Sequence, residues 1–183
     1  IAAFFMVASA LVRSSVTLRG CFDAALPQAD GAIVGLLKKM GHPCAASGGK
    51  MRLKGPVRLK GGTFSLAACP DLVPIMTVVA MFAQGPTVLK DIAHARAKES
   101  DRISDLRREL LKVGADIKET PDRLIITPRP SYRNGVLLDP HQDHRLAMAF
   151  AVLGLRIGVR VRDIGCVAKS YPAFPQDLKR LFK

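Results

Sequence analysis

The chain has no tryptophan and only 5% aromatic residues, so it is poorly provided for stacking bases on aromatic faces as single-strand nucleic-acid binders do. Its four cysteines, Cys21, Cys44, Cys69 and Cys166, stand far apart without a C-x-x-C pair. That spacing argues against disulfide and zinc frameworks and fits a reducing, cytoplasmic setting. Long hydrophobic runs are missing too. The longest, Ile1 to Val12 and Leu72 to Ala83, fall short of a bilayer, and Pro74 interrupts the second. A Gly-rich phosphate loop and a nucleophile elbow are also lacking, and Gly48-Gly49 and Gly61-Gly62 read as turns. Ile1 is not a Met and no basic segment precedes the first apolar run, so a signal peptide is not expected and the chain reads as a piece of something longer. Acidic residues are scarce, 15 against 28 basic ones, for a net charge of +13. This suits an anionic partner or a solvated surface, and composition alone does not separate phosphate metabolites from nucleic acid.

What is present is a globular composition, 49% hydrophobic over 183 residues, enough for one substantial core. Periodicity predicts a buried helix over 1–12, a strand over 16–19, a helix over 30–40 closed by Gly41, and strands over 42–46 and 51–54. The order then returns: strand 63–67, helix 72–83, strand 87–92, helix 98–113 closed by Gly114, and strands 115–119 and 123–127. Leu36-Leu37-Lys38-Lys39-Met40-Gly41 reappears as Leu110-Leu111-Lys112-Val113-Gly114, the mark of a repeated supersecondary unit. A third copy begins with strand 135–139, helix 143–155 and strand 159–164, and Lys90-Asp91-Ile92 is echoed by Arg162-Asp163-Ile164. A last helix over 173–182 has no strand pair after it. The expected fold is α/β, a single domain of β-α-β-α-β-β units over about 1–56, 57–128 and 129–183, incomplete at its ends and with unpaired sheet edges.

Charged clusters recur where strands give way to helices. In Lys98-Glu99-Ser100-Asp101-Arg102, read as the opening turn of the 98–113 helix, Lys98 and Arg102 share a face beside unpaired backbone N–H groups. An anion can be held there, with Glu99 as proton carrier or ion-pair partner. Asp143-His144-Arg145 opens another helix, with Asp143 a natural cap, Arg145 a fork for carboxylate or phosphate, and His144 titrating near neutrality. Asp71 follows Pro70 at a third helix start, as a cap or a base. Lys169 lies in a loop that can close over a phosphate. Arg156, Arg160 and Arg162 read as a solvated edge, and His94 and His141 as loop residues without metal-ligand spacing.

Together, Ala97-Lys98-Glu99-Ser100-Asp101-Arg102, Asp143-His144-Arg145-Leu146-Ala147-Met148, Ala168-Lys169-Ser170-Tyr171-Pro172 and the Pro70-Asp71 helix start resemble the C-terminal half of the 5-enolpyruvylshikimate-3-phosphate synthase family. The resemblance implies an enolpyruvyl transferase-like domain, an inside-out α/β barrel, facing an N-terminal half across a cleft. It implies transfer of the enolpyruvyl group of phosphoenolpyruvate to the 5-hydroxyl of shikimate 3-phosphate, without metal, organic cofactor, nucleic acid or membrane. Carried over by position, Arg102 and Arg145 match the grip on the phosphoenolpyruvate carboxylate, and Lys169 a lysine on its phosphate. Glu99 matches the proton donor to the methylene carbon, and Asp71 the acceptor of the hydroxyl proton. Lys98 and His144 match supporting polar positions, and His94 stands where some members carry an asparagine that contacts the phosphorylated substrate. The missing platform for shikimate 3-phosphate implies that the chain alone is inactive. A related transferase acting on a UDP-N-acetyl sugar, a basic RNA-binding module and a non-catalytic remnant domain are the competing readings.

Overall fold

The computed structural model describes residues 1–20 and 31–182. Cys21 and the expected helix start at Asp30 lie outside them. The elements are α1 (Ala2–Leu11), β1 (Ser14–Arg19), α2 (Ala32–Lys39), β2 (Ala45–Ser47) and β3 (Lys50–Gly55), then β4 (Lys60–Ser65), α3 (Val73–Ala80), β5 (Gln84–Lys90), α4 (Arg102–Lys112), β6 (Asp116–Thr120) and β7 (Arg123–Thr127), and finally β8 (Leu137–Leu138), α5 (His144–Ile157), β9 (Arg160–Val161) and α6 (Phe174–Leu181).

Among the described residues three sheets form, in orders β1-β3-β2, β4-β5-β7-β6 and β8-β9. The second shows the full pattern, with β4 parallel to β5, β5 antiparallel to β7, and β7 antiparallel to β6. In the first, β1, β3 and β2 repeat the antiparallel part. In the third, β8 and β9 repeat the parallel step. Among the described residues nothing pairs with the outer edge of β1, the place β4 takes beside β5.

The core lies between the sheets. Helices α1 and α3 are apolar nearly all round and α5 on most faces, as suits helices buried on every side, and the three pack against one another. The strands that surround them alternate: Met51 and Leu53 point inward from β3 while Lys50, Arg52 and Lys54 face water. The few aromatics are concentrated where α6 docks on α1, with Phe174 edge-on to Phe4 at 6.0 Å and tilted against Phe5 at 5.4 Å. No helix among the described residues is long and apolar enough to cross a membrane.

The repeated Lys-rich ends of α2 and α4 both close on a glycine in left-handed conformation, Gly41 at φ +92° and Gly114 at φ +84°. Several expected boundaries move. Residues 42–44 do not join β2, because Pro43 cannot donate to a ladder. The strands expected over 135–139 and 159–164 shrink to two residues each, since among the described residues β8 and β9 have only each other as partners. Helix α4 begins at Arg102 rather than at residue 98. The Asp101 side chain caps it, accepting from the N–H groups of Ile103 and Ser104 at 3.1 Å each.

Close packing of β3 on α1 gives a direct test. A Cβ on Gly55 would stand 1.7 Å from the Ser9 carbonyl oxygen and 2.7 Å from that of Val12, both backbone atoms at the end of α1 that cannot yield cheaply. Gly55→Ala is expected to cost about 2–3 kcal/mol in urea unfolding; an unchanged midpoint would show that the helix end moves aside freely.

Candidate active site

Three helix starts meet at one place. Asp71 comes from the 3₁₀ turn Pro70–Leu72 that leads into α3. Arg102 is the first residue of α4, and Asp143 caps α5, of which His144 and Arg145 are the first residues. Lys169 ends a 3₁₀ turn, Ile164–Lys169, that follows β9. Lys98 and Glu99 lie ahead of α4, so the expectation that Lys98 shares a helical face with Arg102 does not hold. The short carboxylate of Asp101 satisfies the free N–H groups of the helix, and the chain before it runs extended at Lys98.

Arg102 organises the cluster although it is only 1% exposed. Its Nε donates to Asp143 Oδ2 at 2.7 Å and its Nη1 to Asp71 Oδ1 at 2.7 Å. Its Nη2 donates to Glu99 Oε2 at 2.8 Å and to Asp143 Oδ1 at 3.3 Å. A buried guanidinium is tolerable only with such partners, and its planar fork reaches several carboxylates at once. Around it, Arg145 Nη2 stands 2.9 Å from Asp71 Oδ2, and Lys169 Nζ donates to Glu99 Oε1 at 3.4 Å. His144 Nδ1 stands 3.7 Å from the same Glu99 oxygen. Asp143, wholly buried, also accepts from the Arg145 N–H at 2.8 Å and the Ser100 hydroxyl at 3.3 Å.

Burial pushes the Asp71 carboxyl up, but the Arg102 hydrogen bond and the charges of Arg145, Arg102 and Lys98 outweigh it and hold the group below its ordinary range. Glu99 behaves alike: burial is outweighed by a backbone hydrogen bond, Arg102, Lys169 and His144. Burial lowers His144, against the pull of Asp143 and Glu99. In this state Asp71 and Glu99 are therefore ionised and tied to cations, beside an imidazole held toward its neutral form. An incoming anion that takes the cations leaves Asp71 and Glu99 without their counter-charges, which raises both toward a range useful for proton transfer.

Of the expected site residues, Asp71, Glu99, Arg102, His144, Arg145 and Lys169 thus come together. Lys98 acts on Asp71 through its charge. His94, exposed on the 3₁₀ turn Ala93–Ala97, takes no part in the hydrogen bonds and ion pairs of the cluster described above. Sequence reasoning read Asp143 only as a cap and missed its grip on Arg102; the signal was a carboxylate beside a strongly apolar helix, which needs a cation if buried. Arg96 was missed as well. Its guanidinium joins Asp101, Ser104 and the carbonyls of Thr120 and Pro121, tying the segment before α4 to the β6–β7 turn. Among the described residues no group of His, Cys, Asp and Glu could hold a metal ion.

The family model of EPSP synthase (3-phosphoshikimate 1-carboxyvinyltransferase) matches residues 1–178. A 3-phosphoshikimate 1-carboxyvinyltransferase of Methanococcus aeolicus is 36% identical over 182 residues, 98% of this chain and 42% of the relative. A chloroplastic one of Petunia hybrida is 34% identical, over 100% of this chain and 36% of its own length. The chain therefore spans about two fifths of these relatives. A solved EPSP synthase of Acinetobacter baumannii superposes with a TM-score of 0.79 at 30% identity, over 99% of this chain and 45% of that one. The enolpyruvyl transferase NikO of Streptomyces tendae, at 20% identity and a TM-score of 0.76, shares the fold.

Proposed function

The chain belongs to the EPSP synthase family, and from that premise we propose that it supplies one half of an enzyme that transfers the enolpyruvyl group of phosphoenolpyruvate to the 5-hydroxyl of shikimate 3-phosphate, releasing phosphate. The observation that carries the reading is the convergence of Arg102, Arg145 and Lys169 on the paired carboxylates Asp71 and Glu99. Addition of a hydroxyl to the phosphate-bearing carbon of an enol phosphate, followed by loss of phosphate as the new methyl group gives back a proton, needs cations for a dense anion, an acid that then serves as base at the methylene carbon, and a base for the hydroxyl. Arg102 and Arg145 would take the substrate carboxylate and Lys169 its phosphate. Glu99, released from Arg102 and Lys169 and protonated from solvent, would deliver that proton to the methylene carbon and take one back from the methyl group as phosphate leaves; Asp71, released from the two arginines, would accept the hydroxyl proton. Lys98 and His144 would tune these groups, and His94 is proposed as a contact to the phosphorylated acceptor.

Residues 1–56, 57–128 and 129–183 are proposed as copies of one unit, and a complementary amino-terminal half as the partner that carries the rest of the acceptor site. The setting proposed is cytoplasmic, with no part for nucleic acid or membrane. Phosphate release from phosphoenolpyruvate tests this, with the chain mixed with a matching amino-terminal half, with and without shikimate 3-phosphate. Release is expected only from the complete mixture and is expected to fall in Glu99→Ala. Turnover by the chain alone would remove the need for the second half, and no release from a mixture shown to assemble would overturn the reaction.

A further inference from the structure

Glu109 lies on α4 two turns beyond Arg102, on the same face and about 10 Å along the helix axis. Its side chain is 2% exposed. Its Oε2 accepts from Lys112 Nζ at 2.6 Å and from the backbone N–H of Asp139 at 2.8 Å. Its Oε1 stands 3.3 Å from His141 Nε2 and 3.9 Å from Arg108 Nε, while Arg108 Nη2 is 3.0 Å from the same imidazole nitrogen. A nearly buried carboxylate is thus spent on fastening the loop that runs from β8 to α5.

That loop is unusual in itself. His141 at φ 50° and Gln142 at φ 59° are consecutive non-glycine residues in left-handed conformation, which persists only where surrounding contacts impose it. The His141 N–H donates to Asp139 Oδ1 at 2.8 Å, and the Asp143 N–H to the Pro140 carbonyl at 2.9 Å. The next residue along, Asp143, grips Arg102. Helix α4 therefore holds this segment at two points, directly through Glu109 and, through Arg102, at the Asp143 side chain where α5 begins.

We propose that Glu109 is a positioning residue: by clamping the Asp139–Gln142 loop to α4 it fixes where Asp143 stands, and through Asp143 the orientation of the Arg102 guanidinium at the anion site. Only the kinetic consequence rests on the reaction proposed above. Solvent exchange of the Arg102 Nε–H, followed by NMR on the full chain, reads the positioning without any activity. Glu109→Ala is expected to speed that exchange about tenfold relative to amides in the α1 and α3 core, as loss of a hydrogen bond to a charged group implies. Glu109→Gln, which keeps an acceptor for the Asp139 N–H, is expected to restore most of the protection. Unchanged exchange in Glu109→Ala, or equal acceleration of every core amide, would overturn the proposal. Should Glu109→Ala not fold, His141→Ala removes one of the two loop contacts and must itself speed the exchange, with no change again overturning it. In the assembled enzyme Glu109→Ala is expected to raise KM for phosphoenolpyruvate while leaving KM for shikimate 3-phosphate alone. A wild-type mixture without turnover would remove the reaction and leave the exchange experiment to judge Glu109.

Discussion

The Arg102→Met chain is expected to be less stable than the parent by about 3–5 kcal/mol at neutral pH, which for a domain of this size lowers the thermal midpoint by about 10 °C. The side chain removed is not a surface cation. It is buried and serves Asp143, Asp71 and Glu99 together, and the replacement leaves Asp143 as a wholly buried carboxylate that has lost its strongest partner. The pH dependence separates this cause from simple loss of packing. In the parent, Asp71 and Glu99 are held below their ordinary values, so the stability they contribute is present above the unfolded carboxyl range of about 4 and is lost as pH falls through the depressed values. In Arg102→Met the depression of both carboxyls is smaller, because only Arg145 and Lys98 still act on Asp71, and only the backbone hydrogen bond, Lys169 and His144 on Glu99. Less stability is then lost on acidification, and the deficit against the parent narrows. Circular dichroism melts across that range suffice to see it. A deficit that stays constant with pH would mean that the cost is one of packing.

If Asp71 is the base proposed above, Asp71→Asn in the assembled enzyme is expected to lower kcat by about 10²–10⁴-fold, the usual contribution of a positioned general base, with a much smaller change in KM for either substrate. The unliganded geometry explains why the pH profile is informative. Asp71 sits between Arg102 at 2.7 Å and Arg145 at 2.9 Å and is too weak a base while both hold it. If a substrate carboxylate must displace Asp71 from these arginines before it can work, the acidic limb of kcat lies above the ordinary carboxyl range. Turnover of Asp71→Asn within threefold of the parent would assign the hydroxyl proton to another group.

The local parts of this arrangement were legible in the chain. The glycines that close α2 and α4, the strand over 123–127 and the apolar helices α1 and α3 follow from periodicity and end signals, because each depends on neighbours in sequence. The start of α4 was misplaced because Lys98-Glu99-Ser100 has the charge of a first turn, whereas Asp101 is the better cap. The state of Arg102 was the larger surprise. Read locally it is a free cation waiting for an anion; in the fold it already holds Asp71 and Asp143, 31 and 41 residues away, and only tertiary structure brings such partners together. Glu109 escaped notice for the same reason, being one more charge on an amphipathic helix until the Asp139–Gln142 loop is laid against it.

Placing the apolar helices inside and the sheets outside also divides the molecule into surfaces with different freedom to vary. Along β3 every second side chain, Lys50, Arg52 and Lys54, points to water away from the core. A lineage can therefore change its overall charge, and with it solubility in salty or crowded surroundings, by exchanging residues on these outer faces one at a time. Residues at the helix starts have no such latitude, since Asp71 and Glu99 are each shared between cations from separate stretches of chain. Drift in charge and constancy in chemistry can thus coexist in one small domain.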